Sequence, residues 1–195
     1  MDQIVSTMKV FRKILVLYNM LFFKAQKITY GKRLRIRGTI GVNNKGRVVI
    51  GDDFVCTSGN MSNPIGRNIK SYFNIAPNAT LTIGNNTGCS STTFWCSQSI
   101  SIGDNVKIGA LGIITDTDAH SLDPVLRSDL KTDSINAKSA PVVIANNVFI
   151  GMSSIICKGV TIGENSIIGA GSVVTKSIPA NEIWAGNPAQ FVRKL

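Results

Sequence analysis

The residues best equipped for proton chemistry lie together in Thr115-Asp116-Thr117-Asp118-Ala119-His120-Ser121-Leu122-Asp123-Pro124. His120 is the only histidine of the chain. Imidazole is the one side chain whose unperturbed titration lies near neutrality, so it can accept a proton and release it again. A carboxylate on the second ring nitrogen fixes the tautomer and stabilises the imidazolium that forms. Asp118 and Asp116 lie two and four residues upstream, and the sequence does not choose between them for that role. A lone loop histidine is more often a surface group, but two neighbouring carboxylates shift the balance towards chemistry. An Asp-x-Asp with no second histidine and no confirmed third ligand is a poor metal site, so no metal is expected.

A strict repeat surrounds this stretch and must position it. Ile144, Ile150, Ile156, Ile162, Ile168 and Val174 are six residues apart, as are Ile102, Ile108 and Ile114. Ile144 and Ile162, Ile150 and Ile168, and Ile156 and Val174 are therefore each eighteen apart. A six-residue period inside an eighteen-residue superperiod means three short flat strands per turn of a coil. One aliphatic side chain per hexapeptide points inward and stacks on its equivalent in the next turn. Gly or another small residue follows it where the chain bends at a corner. The pattern predicts an all-β, parallel β-helix of roughly triangular section. A sandwich would show period-two alternation and hairpin signals instead.

The register also reports its interruptions. The position after Ile114 falls at residue 120, yet the series resumes at Ile144, so 24 residues are inserted. The insertion, about 115–141, is polar, lacks the rhythm and contains His120. Long insertions of this kind are usually functional. Earlier coils are looser: Ile83 and Ile102 are nineteen apart, and Cys56–Ala76 fits no clean register. Residues 1–30 read as a helical segment, 31–180 as the β-helix and 181–195 as a C-terminal tail. In the first of these, apolar Ile4, Met8, Phe11 and Leu15 recur at helical spacing, and Ile14–Phe23 is apolar nearly all round.

Composition narrows the function classes. The 195 residues carry 21 Lys and Arg against 11 Asp and Glu, a net charge of +10. Residues 1–47 hold eleven of the bases and one acid, so the whole net charge resides there and the remaining body is neutral. This is a charged flank rather than a nucleic-acid-binding body. Its sharper reading is attraction to an anionic membrane face or an anionic polymer. No apolar run reaches the roughly 18–20 residues of a membrane span. The four cysteines form no CxxC pair, which excludes a zinc finger and fits a reducing cytoplasm. A basic stretch precedes the apolar Ile14–Phe23, but Lys24, Gln26 and Lys27 replace a small-residue cleavage site, so an export signal is not expected.

The coil from Val148-Phe149-Ile150-Gly151 through Gly169-Ala170-Gly171 to Thr175-Lys176, followed by Ala185-Gly186-Asn187-Pro188, resembles the hexapeptide-repeat acetyltransferases. The nearest branch is the sugar O-acetyltransferases, including the galactoside and maltose enzymes and those that modify capsule or O-antigen polysaccharide. The resemblance covers about residues 100–193. It implies a left-handed β-helix and a homotrimer that binds acetyl-CoA in a groove between subunits and needs no metal. It makes His120 the general base, with direct attack of a sugar hydroxyl on the thioester and a backbone N–H near Gly151 or Met152 holding the oxyanion.

By the same resemblance, Met152 and Ala170 hold the pantetheine arm through their main chain, Thr175 and Lys176 lie nearer the nucleotide, and Arg193 approaches the phosphates. Gln190 departs from the Arg frequent in the galactoside branch. On the acceptor side, Cys89 and Ser91 mark the coil that helps hold the sugar in that branch, without its Asn, and Trp95 can stack on a sugar ring. The expected function is an acetyl-CoA-dependent sugar O-acetyltransferase of surface polysaccharide assembly, located in the cytoplasm, with peripheral contact at the inner membrane face as the alternative placement. An amino-sugar N-acetyltransferase and a non-catalytic β-helix scaffold are the rival readings. A γ-type carbonic anhydrase is excluded, since it needs three histidine ligands.

Overall fold

A computed structural model describes residues 2–195 except 60–62 and 67, with side chains described from residue 14 onward. The apolar positions Ile4, Met8 and Phe11 therefore lie outside the described side chains. The fold is the expected left-handed parallel β-helix. Three walls of parallel strands enclose one core. The first wall stacks Thr29–Tyr30, Arg47–Ile50, Thr80–Ile83, Ser99–Ile102, Val142–Ile144 and Thr161–Ile162. The second runs from Arg35–Arg37 to Ile167–Ile168 and the third from Gly41–Asn44 to Val173–Val174.

The pairing follows the superperiod. Ile144 faces Ile162, Ile150 faces Ile168 and Ile156 faces Val174. Across the insertion Ile102 faces Ile144, Ile108 faces Ile150 and Ile114 faces Ile156, so the insertion leaves the stacking intact. These side chains are buried, and each contributes about 1.5–3 kcal/mol relative to exposure. The corners show why small residues recur. A Cβ added to Gly109 would lie 2.5 Å from the Met152 nitrogen, and one added to Gly151 would lie 2.4 Å from the Ala170 nitrogen. Successive coils approach too closely there for any side chain.

The unclear register at residues 56–76 has a simple cause. Strands Val55–Thr57 and Tyr72–Ile75 both pair in register, with Cys56 facing Cys89 and Phe73 facing Phe94. Between them the chain makes a second excursion, tied at its base by Ser58 Oγ, which accepts from the Ser71 N–H at 2.8 Å and donates to the Thr39 carbonyl at 2.6 Å. At the C-terminal end, Ile183 and Trp184 extend the second wall, and Glu182–Gly186 pairs antiparallel with Ala189–Lys194.

Helix α1 (Asp2–Ala25) closes the N-terminal end of the coil. Its C-terminus is stopped by Lys27 in the left-handed region (φ 53°), which lets the Ile28 N–H reach the Phe23 carbonyl at 2.9 Å. Phe23 is fully buried in the core and packs edge-to-face on Tyr30. Asn19 is 1% exposed and donates to the Gly38 carbonyl at 2.9 Å, satisfying a backbone group of the first coil.

Candidate active site

The insertion leaves the third wall after Ile113–Thr115 and returns to the first wall at Val142. Its two legs run antiparallel: the Asp118 N–H donates to the Lys138 carbonyl at 3.0 Å, and the Ala140 N–H to the Asp116 carbonyl at 2.8 Å. Between the legs lie two short helices, α2 (Pro124–Arg127) and α3 (Leu130–Asn136). Asp123 and Asp129 cap them, each accepting two backbone N–H groups of the first turn. The insertion is thus an ordered helical element rather than a structureless loop.

Helix α3 carries the carboxylate that sequence reasoning missed. Asp133 Oδ2 lies 2.6 Å from His120 Nδ1, and Asp133 Oδ1 accepts the Ser121 N–H at 2.6 Å. The hydrogen bond from His120, then that from Ser121, holds the Asp133 carboxyl below the ordinary carboxylate range. Asp133 is 5% exposed, whereas the His120 side chain is 68% exposed. An ionised Asp133 accepts, so the ring proton sits on Nδ1 and Nε2 carries the lone pair. Arg127 steadies the turn by donating to the Ser121 carbonyl at 2.8 Å.

Neither carboxylate proposed from the sequence touches His120. Strand alternation carries Asp116 inward, where it is fully buried and accepts the N–H groups of Ser97 at 2.6 Å and Gln98 at 2.8 Å. Burial, together with the Asp116 charge, pushes the neighbouring Cys96 thiol up to about 12. Asp116 is a staple for the root of the insertion. Asp118 faces the coil beneath, with Oδ1 3.1 Å from Lys158 Nζ and Oδ2 buried without a partner among the described residues. Local spacing favoured both residues, but the antiparallel legs turn them away from the ring. The Asp-Pro at 123–124 and the cap at Asp129 were the available signals that a helix would bring a later acid back.

The acceptor-side residues separate. Cys89 points into the core, and Ser91 is 1% exposed with its Oγ taken by Asn63 Nδ2 at 3.1 Å. Neither side chain can touch an acceptor, because both lie behind the wall. Trp95 stands on the outer face of the third wall, 45% exposed, directly beside Thr115 at the root of the insertion.

The remaining predicted residues occupy two corners. Gly151, Met152 and Ala170 lie where the second wall turns into the third, and Met152 is 39% exposed. The Met152 carbonyl accepts from the Gly171 N–H at 2.8 Å, while among the described residues the N–H groups of Met152 and Ala170 have no acceptor. With no side chain at Gly109 beside the Met152 nitrogen or at Gly151 beside the Ala170 nitrogen, these N–H groups suit a ligand carbonyl. Thr175 and Lys176 are exposed at the opposite edge of the third wall, one coil beyond Cys157 and Lys158 and on the same edge as the insertion. Arg193 is exposed on the terminal hairpin, opposite Ile183. One chain therefore carries the imidazole and the free corner N–H groups at opposite edges of one wall.

Residues 141–176 match the family described as bacterial transferase hexapeptide (six repeats). The chain is 38% identical over 96 residues to the galactoside O-acetyltransferase of Escherichia coli K12, covering 49% of this chain and 44% of that protein. It is 32% identical over 100 residues to the putative lipopolysaccharide biosynthesis O-acetyl transferase WbbJ of the same organism, covering 50% and 51%. The chain spans about half the length of the curated relatives it matches. A hexapeptide-repeat acetyltransferase of Vibrio cholerae, solved with acetyl coenzyme A, is similar with a TM-score of 0.56 at 32% identity, over 63% of this chain and 64% of that one.

Proposed function

We propose that the protein transfers the acetyl group of acetyl-CoA to a hydroxyl of a sugar, in the assembly of a surface polysaccharide. The observation that carries this reading is the Asp133-held His120, whose second nitrogen is left for a substrate. In the step, His120 Nε2 takes the hydroxyl proton as the sugar oxygen bonds to the thioester carbonyl carbon. The Met152 N–H donates to the oxygen that gains charge, an arrangement worth about 3–4 kcal/mol where single donors have been removed elsewhere. The imidazolium then returns its proton to the departing thiolate sulfur, giving an acetyl ester and free CoA. Asp133 stabilises the imidazolium between these two transfers.

His120 and Met152 belong to opposite edges of the third wall, so this reading takes them from two copies of the chain. We place the site between subunits of a homotrimer. Thr175, Lys176 and Arg193 are the proposed partners of the nucleotide end, and Trp95 the proposed platform for the sugar. The similarity to a lipopolysaccharide O-acetyl transferase supports a glycan acceptor. Use of acetyl-CoA supports a cytoplasmic site of action. Thiol release from acetyl-CoA against free, nucleotide-linked and lipid-linked glycans, with products identified by mass, tests the proposal. An acetyl ester on one of them is the expected result. Acetylation of amino sugars alone would transfer the same site to N-acetylation.

A further inference from the structure

The N-terminal helix has two apolar faces and the coil uses only one. Asn19 and Phe23 face inward. On the opposite side Ile14, Leu17, Tyr18 and Leu21 recur at helical spacing and are 59%, 58%, 50% and 59% exposed. Closing the coil therefore does not account for them. A continuous exposed apolar stripe of this kind is uncommon on a soluble surface and marks an interaction site.

Its surroundings are basic. Lys24 and Lys27 are exposed at the end of the helix, and Arg35 and Arg37 point outward from the strand on which the helix packs. None of these four makes an ion pair among the described residues, whereas Arg33 is taken by Asp53. Residues 1–47 carry the whole net charge of +10. A second copy of the same helix would bring like charge against like charge. An anionic lipid surface matches both the apolar stripe and its rim. No described helix is long and apolar enough to cross a membrane, which leaves a helix lying in the interface.

We propose that α1 is a peripheral membrane anchor that caps the coil with one face and inserts Ile14, Leu17, Tyr18 and Leu21 among anionic headgroups with the other. This is independent of the acyl-transfer reading. The basic rim supplies long-range attraction, and the stripe supplies the buried area that holds the protein at the surface.

Co-sedimentation of the full chain with phosphatidylcholine vesicles, with and without phosphatidylglycerol, tests it. Binding is expected to the anionic vesicles only and to weaken steeply with added salt. Arg35→Gln with Arg37→Gln should weaken it by about fivefold per charge removed. Leu17→Glu with Leu21→Glu should abolish it, while circular dichroism and thermal melting show the coil intact, because neither side chain packs on the core. No binding at low salt would overturn the proposal. So would equal binding to neutral vesicles. A Leu17→Glu, Leu21→Glu protein that changes its sedimentation coefficient in the absence of lipid would assign the stripe to a second copy instead.

Discussion

Two stretches interrupt the coil, one between Thr57 and Tyr72 and one between Thr115 and Val142, and they are built from opposite materials. The first is tied down by neutral groups: Ser58 holds Ser71, and Asn63 folds back onto Ser90 and Ser91 at 2.9 and 3.1 Å. The second carries an imidazole and a shielded carboxylate in contact, on legs stapled by a buried Asp116. Both break the hexapeptide register, and both return the chain to the same stacking. A break in a solenoid therefore shows where chain has been added. Only the chemistry of the added residues shows whether it does work.

The sharpest way to break that contrast is to remove the ionisable partner from one stretch and the tie from the other. His120→Ala should lower kcat a hundredfold or more, the low end of ~10²–10⁴ for a general base, with the affinity for CoA unchanged. Asn63→Ala should leave kcat within about twofold, since its side chain bonds only Ser90, Ser91 and the Ile65 N–H among the described residues. Comparable losses in both would remove the distinction.

Asp133→Asn should slow turnover on the order of tenfold to a hundredfold while retaining CoA binding, because it keeps the shape and loses the charge that steadies the imidazolium. It also carries a pH signature. The Asp133 carboxyl is held below its ordinary range by His120 and Ser121, so its contribution to stability is present above the unfolded carboxylate pKa of about 3.9. That contribution is lost as pH falls through the lower folded value. Melting curves of wild type and Asp133→Asn should therefore differ at neutral pH and converge in acid. A constant gap would contradict the assigned pairing.

The stability predictions are smaller on activity and separate the coil from both excursions. Ile114→Ala removes a fully buried side chain at the root of the insertion and should cost about 2–5 kcal/mol in denaturant unfolding. Asp116→Ala leaves the N–H groups of Ser97 and Gln98 without their acceptor and should cost about 1–3 kcal/mol. If Asp116→Ala removed activity with no change in stability, Asp116 would belong to the chemistry after all.

The difference between the excursions also explains what was legible in the sequence. Ile144 through Val174 announce three walls, because one side chain per hexapeptide must face the same axis. The 24-residue offset follows from Ile114 and Ile144 alone, and the stacking across it is as the offset requires. His120 was visible as the only histidine. Its partner was not, because Asp133 reaches it through a turn of helix, and spacing along the chain does not encode that contact. Asp116 and Asp118 were closer in sequence and are farther in function, one turned inward by strand alternation and the other drawn to Lys158. Cys89 and Ser91 were expected beside the acceptor, but burial puts their side chains behind the wall.

Two inactive copies mixed in one assembly test the shared site most directly. His120→Ala removes the base at one edge of the third wall, and Ala170→Trp fills the corner at the other. If each site draws one edge from each of two subunits, random co-assembly of the two variants restores a site wherever an intact base meets an intact corner. That is about a quarter of the interfaces of a cyclic assembly. The expected result is thiol release from the mixture at roughly that fraction of wild type, with each variant alone inactive. A mixture no more active than its components would place base and corner in the same chain and contradict the intersubunit site.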